Sequence, residues 1–524
     1  MKNQRLIDET ISIREPEFHR YERTYRNHLK KYQKISEIPE LKKSLASARW
    51  IYMGDYHTNP QSQRALLRVL KLLIPQTTQV IICLEFLQQK HQEYIDNYLE
   101  YRIKEETFLA KINIKKYFHF DLWHNFKPIF EFARYHHLEI CGIESAPMGS
   151  GLKRRDQAMA QNIVGVATEN PGYKIFTFVG DLHMAPENLP RQVHHLLEVP
   201  PQPGEELLIY QNSDQIYWQL AEAHLEDKVE LVKVDEQSFC LLNSSPILNQ
   251  QSYLGWLDSE LGDFEYQEPK NNFWELTKKI LDFFKLKTQF NKLNHPEEIE
   301  LFTFEDLGFL DHLQKEKIFS KKKLEFYKQR VKCGESFFIT ELKWVYLSSI
   351  VIHHIAEQSA YLIQETFIDP TMIKTEEDQF YEGVLSKALG FCISKIFNSK
   401  RKCLRLNDYQ NLLEYLKQES SLRNHSINYE LACLIIEVKA LESDGELIKS
   451  FHDFHSQPEL SYRLKQGLGF ILGEKLYHAF MQAKLSRLEI KNLLKKTYLH
   501  RGTSAQTYLK LVKKYCQISL PQRL

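Results

Sequence analysis

Glycine and proline are scarce in this chain, 19 and 18 among 524 residues, which argues against a loop-rich fold and for long helices. The eight cysteines are scattered, form no Cys-x-x-Cys pair and sit mostly among apolar neighbours, so reduced core thiols are expected and a disulfide framework is not. No run of about eighteen apolar residues occurs, which excludes a membrane-spanning helix. The first twenty residues lack the apolar core of a secretory signal, so a cytoplasmic location is expected. An excess of one charge is also missing: 69 Lys and Arg against 68 Asp and Glu leave +1, with no global electrostatic reason for a nucleic-acid or acidic-membrane partner. The basic stretches "SKKK" (320–323) and "SKRK" (399–402) are short and read as solvated faces. Aromatics are plentiful, with 31 Phe and 27 Tyr, and the length suggests two to four domains.

Strand signals concentrate early. "RWIYMG" (49–54), "QVIICLE" (79–85), "EICGIE" (139–144) and "KIFTFVG" (174–180) are near-continuous apolar runs of the kind buried on both faces. Helical patterns lie between them, at 62–73, 126–137 and 155–167, the first behind Thr58, Asn59 and Pro60 as cap and first turn. Strand, helix, strand implies right-handed crossovers and a parallel sheet. Further strands are expected at 205–212 and 229–243. Beyond residue 266 strand signals stop, and 337–367 reads as the longest and most apolar helix, the centre of a bundle. The expected architecture is therefore α/β, a parallel sheet with flanking helices, followed by a mainly α-helical C-terminal domain. Its boundaries fall at 1–45 for a helical lead-in, 46–260 for the α/β domain and 270–524 for the helical part.

The strand ends carry the chemistry. "GDYH" (54–57) and "GDLH" (180–183) repeat one Gly-Asp-x-His signature, each directly after an apolar run. One such match after a β-type run is expected by chance well under about 0.1 times in this composition, so two copies need a common cause. The four strands end on Asp55 and His57, on Glu85, on Glu144, and on Asp181 and His183. All strand C-termini of a parallel sheet share one edge, where ligands bind, so these residues should converge. Carboxylates and imidazoles crowded together repel unless a cation neutralises them. His57, Glu85, Glu144 and His183 then suit a divalent transition metal, Zn, Mn, Fe or Co, better than Ca or Mg. Arg155, opening the helix after the third strand, could supply a positive group for a carboxylate ligand or substrate, or pair with one of these acids. Asp55 and Asp181 read as helix caps or as orienters of the two histidines.

In order, "GDYHTNP", "CLEFLQ", "WHNFKPIFEFARYHHLEICGIES", "RRDQAMAQNI" and "FVGDLH" resemble the ChaN-like haem-binding family of the Tiki/EreA-type superfamily, over about residues 46–195. The resemblance places its two Gly-x-x-His motifs and strand-end glutamates on His57, Glu85, Glu144 and His183. Two departures stand out: Asp55 replaces a common Glu, and Phe126 a common Tyr. The resemblance implies a haem- or metal-binding protein with its ligand site at the C-terminal edge of the sheet. Tyr56, His57 or His183 would serve as axial haem ligand, and Arg155 as partner of a ligand carboxylate.

The superfamily also contains hydrolases, and the alternative is a metal-dependent one acting on a small-molecule or peptide ligand. There His57, His183 and one glutamate hold the ion, while Glu144, or Glu85, acts as general base. No Gly-x-Ser-x-Gly elbow occurs, which disfavours a serine hydrolase. A third possibility is a helical half that docks another protein, whose identity the sequence does not give. Within that half, His353, His354 and Glu357 read as interhelical hydrogen bonding, and "GLGFILGEKLYHAF" (467–480) as a close helix contact.

Overall fold

A computed structural model describes residue 7 and residues 16–77, 79–113, 123–261, 269–286, 299–303, 307–315, 318–332, 334–367, 375–418, 427–448, 457–495 and 503–523. The chain forms two compact units, Met1–Tyr266 with Pro521–Leu524, and Gln267–Leu520. Cys333 and residues 262–268 lie outside the described residues.

The first unit is built on eight strands: β1 (Lys34–Ile35), β2 (Trp50–Asp55), β3 (Val80–Gln88), β4 (Glu139–Glu144), β5 (Lys174–Gly180), β6 (Glu206–Gln211), β7 (Leu231–Lys233) and β8 (Ser238–Leu241). Their order is β1-β7-β8-β6-β2-β5-β3-β4, parallel from β8 to β4, with β7 and β1 added antiparallel at one edge. Alternate residues of β2 enter opposite cores. Ile51 and Met53 pack with Leu66 and Phe130, while Trp50 and Tyr52 pack with Met159 and Ile163. Because helices cover both faces, the strands read as unbroken apolar runs rather than alternating ones. Asn59 caps the helix Pro60–Leu73, accepting from Gln61 N at 3.0 Å with proline in the first turn.

Three expectations need correction. Residues 229–243 are a hairpin and not one strand, because Asp235 Oδ1 accepts from Gln237 N at 2.8 Å and turns the chain between β7 and β8. The two-residue β1, exposed at both positions, has no apolar signature in the sequence. The segment 337–367 is not one long helix, and strands do not stop at residue 266. The second unit carries a three-stranded sheet, β9 (Glu300–Thr303), β10 (Phe337–Ile339) and β11 (Trp344–Leu347), in the order β10-β11-β9. Aromatic and β-branched residues favour the pleated form there, and Lys343 turns the hairpin with a φ of 55°. The helix itself spans only Ile352–Glu365.

The second unit remains mainly helical. Its close pair is Glu376–Phe397 against Pro458–Met481, where a Cβ on Gly469 would lie 2.7 Å from Val384 O, so the "GLGF" stretch is indeed a tight helix contact. His354 Nδ1 pairs with Ser336 Oγ at 3.0 Å and His353 Nδ1 with Asn398 Nδ2 at 3.2 Å, while Glu357 pairs with Arg401, so this trio serves packing as expected. Among the described residues no helix is long and apolar enough to cross a membrane, and no disulfide occurs.

Candidate functional site

The repeated signature is explained by strand register. β2 and β5 are parallel neighbours with Gly54 opposite Val179 and Asp55 opposite Gly180, so the two motifs stand side by side on one edge. A Cβ on Gly54 would run into the Asp181 carboxylate and touch Met184 Cγ at 3.4 Å. A Cβ on Gly180 would lie 3.1 Å from His57 Nε2 and 3.4 Å from Glu85 Oε2. Each motif's glycine thus makes room for side chains that the other motif brings. The repeat is reciprocal packing as well as chemistry.

Glu85 reaches the same edge through an irregularity in β3, where pairing with β4 slips between Leu84 and Gln88. Such bulges re-aim side chains. Its Oε2 accepts from Gly180 N at 2.5 Å, and its Oε1 faces Arg155 Nη2 at 2.5 Å and His183 Nε2 at 3.5 Å. Glu144, ending β4, accepts from Ala146 N at 2.8 Å and from Arg155 Nε at 2.7 Å. Arg155 comes from the first turn of the helix Leu152–Glu169 and therefore bridges both glutamates.

Each histidine is held by an aspartate. His57 Nδ1 lies 2.9 Å from Asp55 Oδ2, and Asp55 Oδ1 accepts from Gln63 Nε2 at 2.5 Å. His183 Nδ1 pairs closely with Asp156 Oδ1, while Tyr21 Oη donates to Asp156 Oδ2 at 2.7 Å. Burial works against charge on His57, His183, Glu85 and Asp181, and their neighbours decide the outcome. Burial lowers His183, but Asp156 and Glu85 outweigh it and raise the imidazole to about 9. His57 is likewise raised, burial being overcome by Asp55 and Glu85. Burial would raise Glu85, yet Arg155 and His183 hold it well below the usual range. For Asp181 burial, then the Asp55 charge, outweigh the opposing His57 and push it up to about 8.

The edge opens into a cavity of about 950 Å³ lined by Tyr56, His57, Arg155 and the aromatic side chains of Tyr25, Trp218 and Tyr253. Of the residues expected from sequence, His57, Glu85, Glu144, His183 and Arg155 are brought together, and Tyr56 stands on the cavity wall. Phe126 is buried against Phe86 with ring centres 3.9 Å apart and does not line the cavity. Asp156 and Tyr21 were missed. Asp156 follows Arg155 in "RRDQ", a signal visible only once that helix is set beside His183. Tyr21 lies on a polar helix, Pro16–His28, with nothing local to mark it.

The donor set meets a bare cation and a haem differently. Both glutamates are already bound to Arg155, and among the described residues no three His, Cys, Asp or Glu side chains are disposed to hold a metal ion. A divalent ion would have to displace the guanidinium, so this arrangement does not fit one. A haem fits better, because the cavity combines aromatic walls, the axial-type side chains Tyr56 and His57, and a cationic group.

Residues 41–147 match the family model described as haem-binding uptake, Tiki superfamily, ChaN. That segment contains His57, Glu85 and Glu144, whereas Arg155, Asp156 and His183 lie beyond it. No curated protein matches the chain. Among solved structures, one of cofacial heme binding to ChaN of Campylobacter jejuni is similar at 12% identity, over 34% of this chain and 88% of that chain, with a TM-score of 0.26. RRSP, a MARTX toxin effector domain from Vibrio vulnificus CMCP6, is similar at 21% identity over 30% of this chain and 36% of that chain, with a TM-score of 0.23.

Proposed function

We propose, taking as premise that residues 41–147 carry a ChaN-type haem-binding domain, that the first unit binds haem in the cavity at the C-terminal edge of its sheet. The observation that carries this reading is the cavity itself, about 950 Å³, with His57 and Tyr56 beside Arg155 and facing aromatic side chains. Haem, when bound, would supply an iron able to take a nitrogen or oxygen donor, and His57 or Tyr56 would hold it. Asp55 fixes the ring of His57 through Nδ1, which orients the imidazole that would hold the haem. Tyr56 is the alternative axial donor. Arg155, 27% exposed, keeps part of its guanidinium toward the cavity for a ligand carboxylate while its remaining donors hold Glu85 and Glu144. Titration of the full chain with haem, followed by the Soret band, tests this. Saturable one-to-one binding that His57→Ala or Tyr56→Phe weakens about tenfold or more is the expected result. Identical titrations for wild type and both variants would defeat it.

A second reading, hydrolysis, is favoured by a separate observation: both imidazoles are oriented by buried aspartates and both approach Glu85. An Asp-held histidine is suited to take a proton from water, and a charged His183 with Arg155 would stabilise developing negative charge. Glu144 is less suited as general base than His57, because both its oxygens already accept hydrogen bonds. Turnover of ester or peptide probes that survives haem exclusion and is abolished by His57→Ala would favour this reading. Its absence across the panel leaves binding alone.

A further inference from the structure

The second unit holds a cleft of about 340 Å³ between the helix Lys321–Lys332, the β10–β11 hairpin and the helices Ile352–Glu365, Glu376–Phe397 and Pro458–Met481. Arg330 lines it and is only 1% exposed. Its Nη2 donates to Tyr462 Oη at 2.6 Å and to Ser336 O at 3.4 Å, and Glu335 stands 3.5 Å away. Its Nε and Nη1 are buried with no hydrogen-bond partner among the described residues. The guanidinium is flanked by rings instead, with Tyr462 at 3.7 Å, Phe337 at 5.1 Å and Phe326 at 5.4 Å.

A second cation converges on the same acceptor. Lys387 Nζ donates to Tyr462 Oη at 2.9 Å and stands 4.3 Å from the centre of the Tyr361 ring. Lys465 completes the group, and the helix is cut away to admit it: a Cβ on Gly383 would lie 3.0 Å from Lys465 Cδ. A glycine inside a helix is less favourable than alanine, so this opening comes at the expense of helix stability. Two cations share one neutral hydroxyl while two buried N–H groups of a guanidinium lack acceptors. Unmet donors of this kind carry a desolvation penalty that an incoming anion would remove.

We propose that this cleft is a second binding site, for a small organic anion, a carboxylate or phosphate monoester on an aromatic or apolar body. Arg330, Lys387 and Lys465 take the anionic group, and Phe326, Phe337 and Tyr361 take the body. The volume sits at the lower end of small-molecule sites. Glu365 and Glu382 also line the cleft, which excludes a polyanion.

Calorimetric titration of the full chain with phenyl phosphate, benzoate and uncharged benzyl alcohol tests the site and separates the two anionic groups. At least one anion should bind about tenfold more tightly than the alcohol. Arg330→Met and Lys465→Gln should each remove that preference. If Arg330→Met does not fold, Lys465→Gln decides alone. Anions that bind no better than the alcohol, or folded variants that bind them as wild type does, overturn the proposal. The latter result would place anion binding elsewhere, for example at Arg155.

Discussion

Arg155, 27% exposed, and Arg330, 1% exposed, both hold their guanidinium groups in hydrogen bonds, and they are compensated in opposite ways. Arg155 bridges Glu85 and Glu144 beside two histidines that are themselves paired with aspartates. Arg330 lies among aromatic rings with one carboxylate at 3.5 Å and two nitrogens unmatched. A guanidinium flanked by two acids has most of its charge matched and only its remaining donors to offer a ligand carboxylate, so selectivity there rests mainly on the shape and side chains of the cavity. One held by π-faces retains its appetite for an anion. The same residue type thus points to different ligands in the two units.

Removing each guanidinium should break this comparison open. Arg155→Met strands Glu85, which is 3% exposed, beside Glu144, which is 6% exposed, and should destabilise the first unit by about 3–5 kcal/mol in urea unfolding. Adding Glu85→Gln should recover part of that loss. No recovery would mean Arg155 acts through packing instead of charge. The reciprocal glycine arrangement predicts the next effect. Gly54→Ala drives a methyl into the Asp181 carboxylate and should cost about 1–3 kcal/mol, and it should also weaken haem binding by disturbing the adjacent motif. Unchanged stability would show that Asp181 can swing aside.

Arg330→Met should cost only about 1 kcal/mol, since it strands no deeply buried acid and loses ring contacts and a hydrogen bond. A loss as large as that of Arg155→Met would erase the contrast between the sites.

The smallest effect is pH dependence in the first unit. His183, raised to about 9 from an ordinary 6.5, contributes stability that is complete below about 6.5 and lost as pH climbs through 9. Asp181, raised to about 8 from 3.8, also prefers the protonated folded state, so stability drains in the same direction between those values. Glu85 acts oppositely, its contribution being present above its ordinary 4.5 and lost as pH falls through its depressed value. The melting temperature should therefore be highest in mildly acidic buffer and fall by roughly a few degrees toward pH 9. Asp181→Asn should flatten the alkaline fall. A variant with the wild-type slope would remove Asp181 from this account.

The sequence by itself determined the parallel sheet and the gathering of His57, Glu85, Glu144 and His183, because crossover connections put every strand end on one edge. It also determined that His353, His354 and Glu357 serve packing, since one helical turn offers too few ligands. Short apolar runs were less legible. Residues 337–367 fit a helix by apolar content, yet Phe337–Ile339 and Trp344–Leu347 pair as strands, and only partners distant in sequence decide between the two periods. Tertiary structure alone decided the chemistry of the edge. Asp156, Tyr21 and the slip in β3 that aims Glu85 depend on packing between elements up to 135 residues apart, and so does the pairing of Arg155 with both glutamates at once. Charge balance in a buried cleft is a property of distances across the fold, and the local sequence does not contain them.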